Sequence, residues 1–221
     1  MESLNLRPAT PADVPQILAF IRDLAAYERE PDAVHATEAD LLRDGFGPEK
    51  RFDCIIAELK ESGATIPAGF ALYFHNYSTW RGHAGIYLED LYVSPEHRGK
   101  GIGKALLTRV AAIAVAEGCP RLEWSVLDWN QPSIDFYQSL GAVMKSEWKG
   151  MQVSGDALPA LAAQSRLRVL PDGVVNFELE ESSLRPPFFR GLSRGKSDAI
   201  GLFRPAPINF ASIQGPAQGL I

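Results

Sequence analysis

The sequence has few of the residues that build metal centres and disulfide frameworks. Its 221 residues include two cysteines, Cys54 and Cys119, and four histidines, at positions 35, 75, 83 and 97. Two cysteines are too few for a disulfide scaffold, and the histidines lack the close spacing of zinc ligands. We therefore predict that the chain holds no metal and that both thiols are reduced, as in a cytoplasmic protein.

Long apolar runs and a surplus of positive charge are also missing. No segment approaches the roughly 18 apolar residues of a membrane span, and the opening residues, MESLNLRPAT, lack the pattern of a signal peptide. The net charge is −5; residues 166–221 carry seven Lys/Arg and five Asp/Glu, or +2, which leaves −7 on residues 1–165. This balance argues against nucleic acid and membrane partners, and it suits a small cationic substrate.

The composition changes near residue 165. Residues 166–221 contain six Pro, six Gly and five Ser, 17 of 56 positions, which reaches the roughly 25–30% that is typical of low-complexity segments. We predict one folded domain over residues 1–165 and a largely irregular extension over residues 166–221. Residues 174–179 have the composition of a short strand within that extension.

The order of helical and strand-like segments predicts a mixed α+β fold with a mostly antiparallel sheet flanked by helices. Residues 52–59 and 68–74 are β-like and lie on either side of a turn-rich stretch, so we expect a hairpin. Thr10 and Thr37 are each followed three residues later by Asp, which predicts two capped helices. Further along, we expect a strand over 121–127, a helix over 133–140, a strand pair over 143–153 and a short helix over 156–164.

The most informative stretch is GIYLEDLYVSPEHRGKGIGKALL, residues 85–107. It predicts a strand, a glycine-rich turn over residues 98–103 and then a helix. Small residues let the turn approach a ligand closely, and the free amides and dipole of the helix start favour an anion. Arg98, Lys100 and Lys104 add positive charge. The turn fits neither the Walker A motif, since Ala105 follows Lys104 where Ser or Thr is needed, nor the dinucleotide fingerprint.

Several separated motifs resemble the GNAT superfamily of acyl-CoA N-acyltransferases. Within it, residues 4–165 are similar to the spermidine/spermine N1-acetyltransferase group. The matching pieces are RPAT at 7–10, DLLRDGFG at 40–47, YLEDLYV at 87–93, RGKGIG at 98–103, WNQPSIDFY at 129–137 and LGA at 140–142. The pieces YSTW at 77–80 and VLDWN at 126–130 are closer to the thialysine N-acetyltransferase branch. Ser78 stands where the polyamine branch is expected to have an acidic residue.

The resemblance implies a GNAT fold, acetyl-CoA as cosubstrate and a homodimer. It places the CoA pyrophosphate at the turn and the pantetheine along the preceding strand, paired with the backbone of Leu91 and Val93. Asn130 either contacts the pantetheine or holds its own turn, and Ser133 either touches CoA or starts a helix. The implied cofactor residues are Leu91, Tyr92, Val93, Arg98, Gly99, Lys100, Gly101, Ile102, Gly103, Lys104, Asn130, Ser133 and Tyr137.

The resemblance also implies the catalytic pair. Acetyl transfer from a thioester to an amine needs a base for the ammonium and a proton for the thiolate, but no nucleophile from the enzyme. Glu89 is the implied base, acting directly or through a water, and Tyr137 is the implied acid. Asp90 helps to bind the cation; because neighbouring strand residues face opposite sides, Glu89 and Asp90 share a cleft only where the strand bulges.

The candidate substrate residues are Tyr27, Glu28, Trp80, Glu89 and Asp90, which combine carboxylates with aromatic faces. We expect a small primary amine as acceptor, a thialysine-like or lysine-like amino acid first and a diamine second. An amino acid acceptor also requires a cation for its carboxylate, Arg81 or another one. Two other functions stay open, a CoA-binding regulatory module without turnover and an acetyltransferase of a protein amine.

Overall fold

The computed structural model describes residues 3–61 and 63–164 in full, together with the backbone of residues 167–169 and 175–177. The chain divides into two compact units, Met1–Lys145 and Ser146–Ile221. The domain boundary that the composition places at residue 165 stays a prediction. Most of the extension, residues 166–221, lies outside the described residues.

A five-stranded sheet forms the first unit. Its strands are β1 (Ser3–Pro8), β2 (Asp53–Glu61), β3 (Ala64–Ser78), β4 (His83–Val93) and β5 (Leu122–Glu123), and they lie in this order across the sheet. Neighbours pair antiparallel except β4 and β5, which are parallel. This confirms the predicted α+β class, the mostly antiparallel sheet and the hairpin, now β2 and β3.

Four helices flank this sheet: α1 (Val14–Tyr27), α2 (Glu38–Phe46), α3 (Ile102–Ala116) and α4 (Gln131–Ser139). Both predicted caps form, since Thr10 and Thr37 each exchange hydrogen bonds with the Asp three residues on. Three short 3₁₀ turns, Pro11–Asp13, Pro31–Ala33 and Pro95–His97, connect the elements.

The sheet separates two hydrophobic clusters because its side chains alternate between faces. Ile56, Phe70 and Tyr92 pack with residues of α1 and α2. Ile55, Ile86 and Leu88 pack with residues of α3 on the opposite face. Strand β4 is therefore packed on both faces, and the start of α3 is held against one of these faces through Ile102.

The predicted strand pair over residues 143–153 is wrong, because no strand forms there. Val143 and Met151 are 87% and 94% exposed, so the segment buries too little to hold an isolated hairpin in water. The second unit contains α5 (Ala157–Ala162), close to the predicted helix over 156–164. In the same unit β6 (Leu167–Val169) pairs antiparallel with β7 (Val175–Phe177), inside the predicted strand over 174–179.

Candidate active site

A cavity of about 640 Å³ opens between β4, the start of α3 and α4. This volume suits a small-molecule ligand or part of a larger one. Most of the residues predicted from the sequence line it, which brings the implied base, acid and phosphate turn into one space. They are Tyr27, Glu28, Glu89, Leu91, Tyr92, Val93, Arg98, Gly99, Gly101, Ile102, Gly103, Lys104, Asn130, Ser133 and Tyr137.

The cavity exists because β4 and β5 separate. They pair only at Ile86 with Leu122 and at Tyr87 with Glu123. The predicted strand over 121–127 is therefore too long: after Glu123 the chain leaves β4, and residues 124–127 line the cavity instead. The edge of β4 from Leu88 to Val93 that faces away from β3 is thus available to a ligand with peptide-like amides.

The phosphate turn has the backbone that its glycines predict. Gly99 and Gly101 have φ angles of 76° and 80°, in the left-handed region that glycine adopts without strain. Gly101 is the N-cap of α3 and supplies no side-chain acceptor, so the first amides of the helix stay available to an anion. The side chains of Arg98 and Lys104 also line the cavity.

Arg98 connects this turn to α1. Its Nε donates to the Val93 carbonyl over 3.0 Å, and its guanidinium carbon lies 4.9 Å from the centre of the Tyr27 ring. The Tyr27 hydroxyl donates to Oδ1 of Asn130 over 3.0 Å. The same oxygen accepts from the amide of Ser133 over 3.4 Å and caps α4. Asn130 therefore holds its own turn through its side-chain oxygen.

A β-bulge occurs in β4 at the two implied carboxylates. Leu72 of β3 pairs with Asp90 and Tyr73 pairs with Leu88, so Glu89 is the extra residue. Glu89 is exposed and lines the cavity, and the flanking Leu88 and Leu91 line it as well. The bulge that would let Glu89 and Asp90 face one cleft is therefore present, and of the two carboxylates Glu89 lines the cavity.

Asp90 is partly buried beside the cavity, although it is not among the residues that line it. Burial raises its pKa from 3.8 to about 7, and the charges of Glu89 and Glu28 act in the same direction. Burial also raises the pKa of Glu28. A cation bound here would relieve this repulsion, since an opposite charge stabilises the ionised carboxylates.

The Asp90→Asn variant is expected to be more stable than the parent chain at pH 8. The raised folded-state pKa means that ionisation of Asp90 destabilises the fold; this cost is absent below pH 3.8, grows up to about pH 7 and is complete above it. Denaturant unfolding at pH 8 is expected to show that the free energy of unfolding rises by about 2 kcal/mol. The change in the pKa of Asp90 sets an upper limit of roughly 4 kcal/mol on this rise. Asp32→Asn, at an exposed position, is the control. A gain that does not shrink from pH 8 toward pH 4 would contradict the assignment.

Tyr137 lies on α4 and packs between aromatic rings. Its ring centre is 4.9 Å from that of Trp124 and 5.2 Å from that of Phe136. Burial raises the pKa of Tyr137 to about 12, with smaller contributions from Glu28 and Tyr27. The phenol is therefore protonated at neutral pH and has a proton to give.

Two predicted residues lie away from this cavity. The side chain of Lys100 points to Glu61, with 3.2 Å between its ammonium nitrogen and a carboxylate oxygen. Trp80 lies in the turn between β3 and β4 and is 88% exposed. Trp124 and His97 also line the cavity, although neither belongs to the predicted site. The sequence marks these two residues only by their positions: Trp124 directly follows β5, and His97 directly precedes the glycine turn.

Comparisons with known proteins agree with this geometry. The family model described as Acetyltransferase (GNAT) family matches residues 18–142. The chain belongs to the GNAT acetyltransferase family. The predicted resemblance and the GNAT fold are thereby confirmed, and the chain is an acetyltransferase of a family that uses acetyl-CoA and acetylates amines.

Named relatives show which acetyltransferases this GNAT enzyme is similar to. It is 40% identical over 171 residues to thialysine N-epsilon-acetyltransferase of Sus scrofa, covering 74% of this chain and all of the relative. It is 41% identical over 153 residues to spermidine/spermine N(1)-acetyltransferase-like protein 1 of Homo sapiens, covering 68% of this chain and 22% of that protein. Among solved structures, an integron cassette protein from the mobile metagenome of V. cholerae matches with a TM-score of 0.60 and 28% identity, covering 72% of this chain and 98% of the other.

Within the described residues, none of the helices of this GNAT enzyme is long and apolar enough to cross a membrane.

Proposed function

We propose that this enzyme transfers the acetyl group of acetyl-CoA directly to a primary amine of a small cationic substrate, first a thialysine-like or lysine-like amino acid and second a diamine. The observation that carries the proposal is that Glu28 and Glu89 line the same cavity as the phosphate turn, with Asp90 partly buried beside it. Carboxylates at this position suit an ammonium group. The names of the pig and human relatives support an acceptor of this class.

The donor binds through the turn and the free strand edge in this proposal. The pyrophosphate lies at the first amides of α3, with Arg98 and Lys104 beside it. The pantetheine amides pair with the backbone of Leu91 and Val93 along the edge that β5 leaves open. The thioester then lies in the part of the cavity that Glu89 and Tyr137 line.

The transfer is a single displacement. Glu89 takes a proton from the acceptor ammonium, directly or through a water, and the free amine attacks the thioester carbonyl. The new N–C bond forms, the C–S bond breaks, and Tyr137 gives its phenolic proton to the departing thiolate. The nitrogen releases its second proton to solvent, which leaves the neutral amide, and Glu89 returns the proton that it took to solvent. Tyr137 is protonated at neutral pH, and the phenol is restored by a proton from solvent.

Arg29 is our candidate for holding the carboxylate of an amino acid acceptor. It directly follows Glu28 and has a φ angle of 69°, an uncommon conformation for a residue other than glycine. Its guanidinium carbon lies 4.3 Å from the centre of the Trp129 ring, and that ring packs against Tyr27 at 6.2 Å. The cation is thus held on Trp129, which packs against Tyr27 of the cavity wall.

Replacing Arg29 by Gln is expected to raise the KM for thialysine by about 10- to 100-fold, the value of one charge-assisted hydrogen bond to a carboxylate. The KM for a diamine is expected to stay within about twofold, since a diamine has no carboxylate. Steady-state thiol release with both acceptors measures this. Arg109→Gln, at an exposed position of α3 that does not line the cavity, is the matched control. An equal rise for both acceptors would contradict the role of Arg29.

The proposed function itself is tested with purified protein, acetyl-CoA and a panel of amines, while free thiol is followed. The panel contains thialysine, lysine, ornithine, diamines, spermidine and a lysine peptide. We expect the fastest release with the free amino acids. Acetyl-CoA binding by calorimetry without release for any amine would indicate a regulatory module, and preference for the peptide would indicate a protein acceptor.

We also propose that the enzyme is a homodimer in a reducing cytoplasm. Two large apolar side chains on the hairpin of β3 and β4, Tyr77 and Trp80, are 63% and 88% exposed, which suits a contact surface. Cys54 and Cys119 are both buried free thiols. Light scattering measures the mass, and a monomeric mass across the working concentration range would refute the dimer.

A further inference from the structure

Three metal-binding side chains meet at the end of α3 that is opposite the phosphate turn. His75 lies on β3, while Glu117 and Cys119 directly follow the helix. Their ligand atoms all lie within 4.8 Å of one another, and Nε2 of His75 is 2.6 Å from a carboxylate oxygen of Glu117. We propose that these three residues form a site for a divalent transition metal, with Zn²⁺ as the best fit. The sequence predicted no metal because it has only two cysteines and its four histidines lack ligand spacing, whereas the fold brings His75 and Glu117 together across 42 residues.

The backbone holds the three residues in place without the ion. The amide of Glu117 donates to the Ile113 carbonyl over 2.9 Å, and that of Cys119 to the Ala114 carbonyl over 2.8 Å. Gly118 between them has a φ of 70°, as in a helix C-cap. His75 is fixed by its pairing with Ile86 on β4. Sites built on such elements are pre-organised, which lowers the cost of binding.

The donor set favours zinc over calcium and magnesium. Imidazole and thiolate ligands suit Zn²⁺ and its neighbours in the first transition row, whereas Ca²⁺ and Mg²⁺ prefer oxygen ligands alone. The carbonyl end of α3 adds partial negative charge beside the cluster. Three protein ligands leave a fourth position for water, so we expect a tetrahedral ion with one exchangeable site.

The distances need only small adjustments. Ligand atoms around tetrahedral zinc are about 3.5 Å apart, as follows from bond lengths of about 2.0 to 2.3 Å. Here the separations run from 2.6 Å up to at most 4.8 Å. The side chains of His75 and Glu117 are 45% and 46% exposed, so both can rotate toward an ion, and solvent gives the ion an entry path. Cys119 is 8% exposed, so its thiol is the ligand that stays in place.

The site is separate from the catalytic cavity. Helix α3 has 15 residues and therefore a length of about 22 Å. The cavity lies at its first residues and the cluster just past its last one. The ion would tie the end of α3 to β3, the central strand of the sheet, so we expect it to stabilise the fold, although its open fourth position differs from the four protein ligands of most structural zinc sites.

The test is a titration of the full chain with Co²⁺, which reports thiolate ligation through a charge-transfer band, followed by displacement with Zn²⁺. We expect one ion per chain and a band that is lost in Cys119→Ser. His75→Gln and Glu117→Gln, at exposed positions where folding is not at risk, are expected to weaken Zn²⁺ binding by about tenfold or more. Cys54→Ala and His83→Gln, which replace residues of the same types outside the cluster, should leave binding unchanged.

Two results would overturn the site: the absence of a thiolate band in the parent chain, or unchanged Zn²⁺ affinity in both His75→Gln and Glu117→Gln. The structural role has its own measurement. The thermal unfolding midpoint of the parent chain is expected to rise when Zn²⁺ is added, and that of His75→Gln is expected to stay unchanged. An unchanged midpoint in the parent chain would overturn that role.

Discussion

Replacing Tyr137 by Phe is expected to lower kcat by about 10²- to 10⁴-fold, the usual contribution of a positioned general acid. The variant loses only the phenolic hydroxyl group. The ring remains packed against Trp124 and Phe136, at 4.9 and 5.2 Å, so the fold and the affinity for acetyl-CoA should be retained. Single-turnover thiol release measures the chemical step, and calorimetry measures donor binding.

Tyr77→Phe is the matched control for this variant. Tyr77 lies on β3 outside the cavity and is 63% exposed, so its hydroxyl has no part in the reaction. A donor whose leaving thiol has a lower pKa should recover part of the lost rate in Tyr137→Phe, because a better leaving group needs less protonation. A decrease in kcat below threefold, or no dependence on the leaving group, would remove Tyr137 from the acid role.

The Glu89→Gln variant is expected to lose about 10²- to 10⁴-fold in kcat/KM for the amine at pH 7. An alkyl ammonium group with a pKa near 10.4 is about 0.04% free base at pH 7, so the reaction depends on a base to remove its proton. Without Glu89, the rate follows the free-base fraction and rises about tenfold per pH unit toward pH 10. The pH profile of kcat/KM therefore separates loss of the base from loss of substrate binding.

Glu96→Gln is the control for Glu89, since Glu96 is a carboxylate with 67% side-chain exposure just before the turn. Glu89 itself is exposed, so the unfolding midpoint should move little in either variant. If Glu89→Gln retains the parent pH profile and changes only KM, Glu89 binds the acceptor and another group accepts the proton.

The sequence allowed the local features to be predicted because local residues cause them. Thr37 and Asp40 specify a capped helix start, and Gly118 specifies a helix end, since each depends on residues within one helical turn. The glycine turn is of the same kind, with Gly99 and Gly101 in the left-handed conformation that other residues rarely adopt.

Features that depend on a distant partner were harder to predict. The alternation of strand residues showed that Glu89 and Asp90 needed a bulge, but the bulge results from the register between β3 and β4. Residues 121–127 have a strand-like composition, yet pairing ends at Glu123 because β4 diverges. The same holds for His75 and Glu117, which the fold brings together across 42 residues. The predicted role of Trp80 at the acceptor stays a prediction.

The separation of β4 from β5 has a consequence for amide exchange and for aggregation. A strand edge with unpaired amides normally exchanges its hydrogens quickly and offers a template for another chain. Here the open edge from Leu88 to Val93 belongs to a strand inside the sheet order, with β5 beyond it and α3 nearby. A flexible thioester ligand can reach the amides of this edge. A strand of another protein molecule cannot pair with them, because β5 and α3 lie in its way. The amides of Leu91 and Val93 should therefore exchange freely in the free enzyme and become protected when the donor binds.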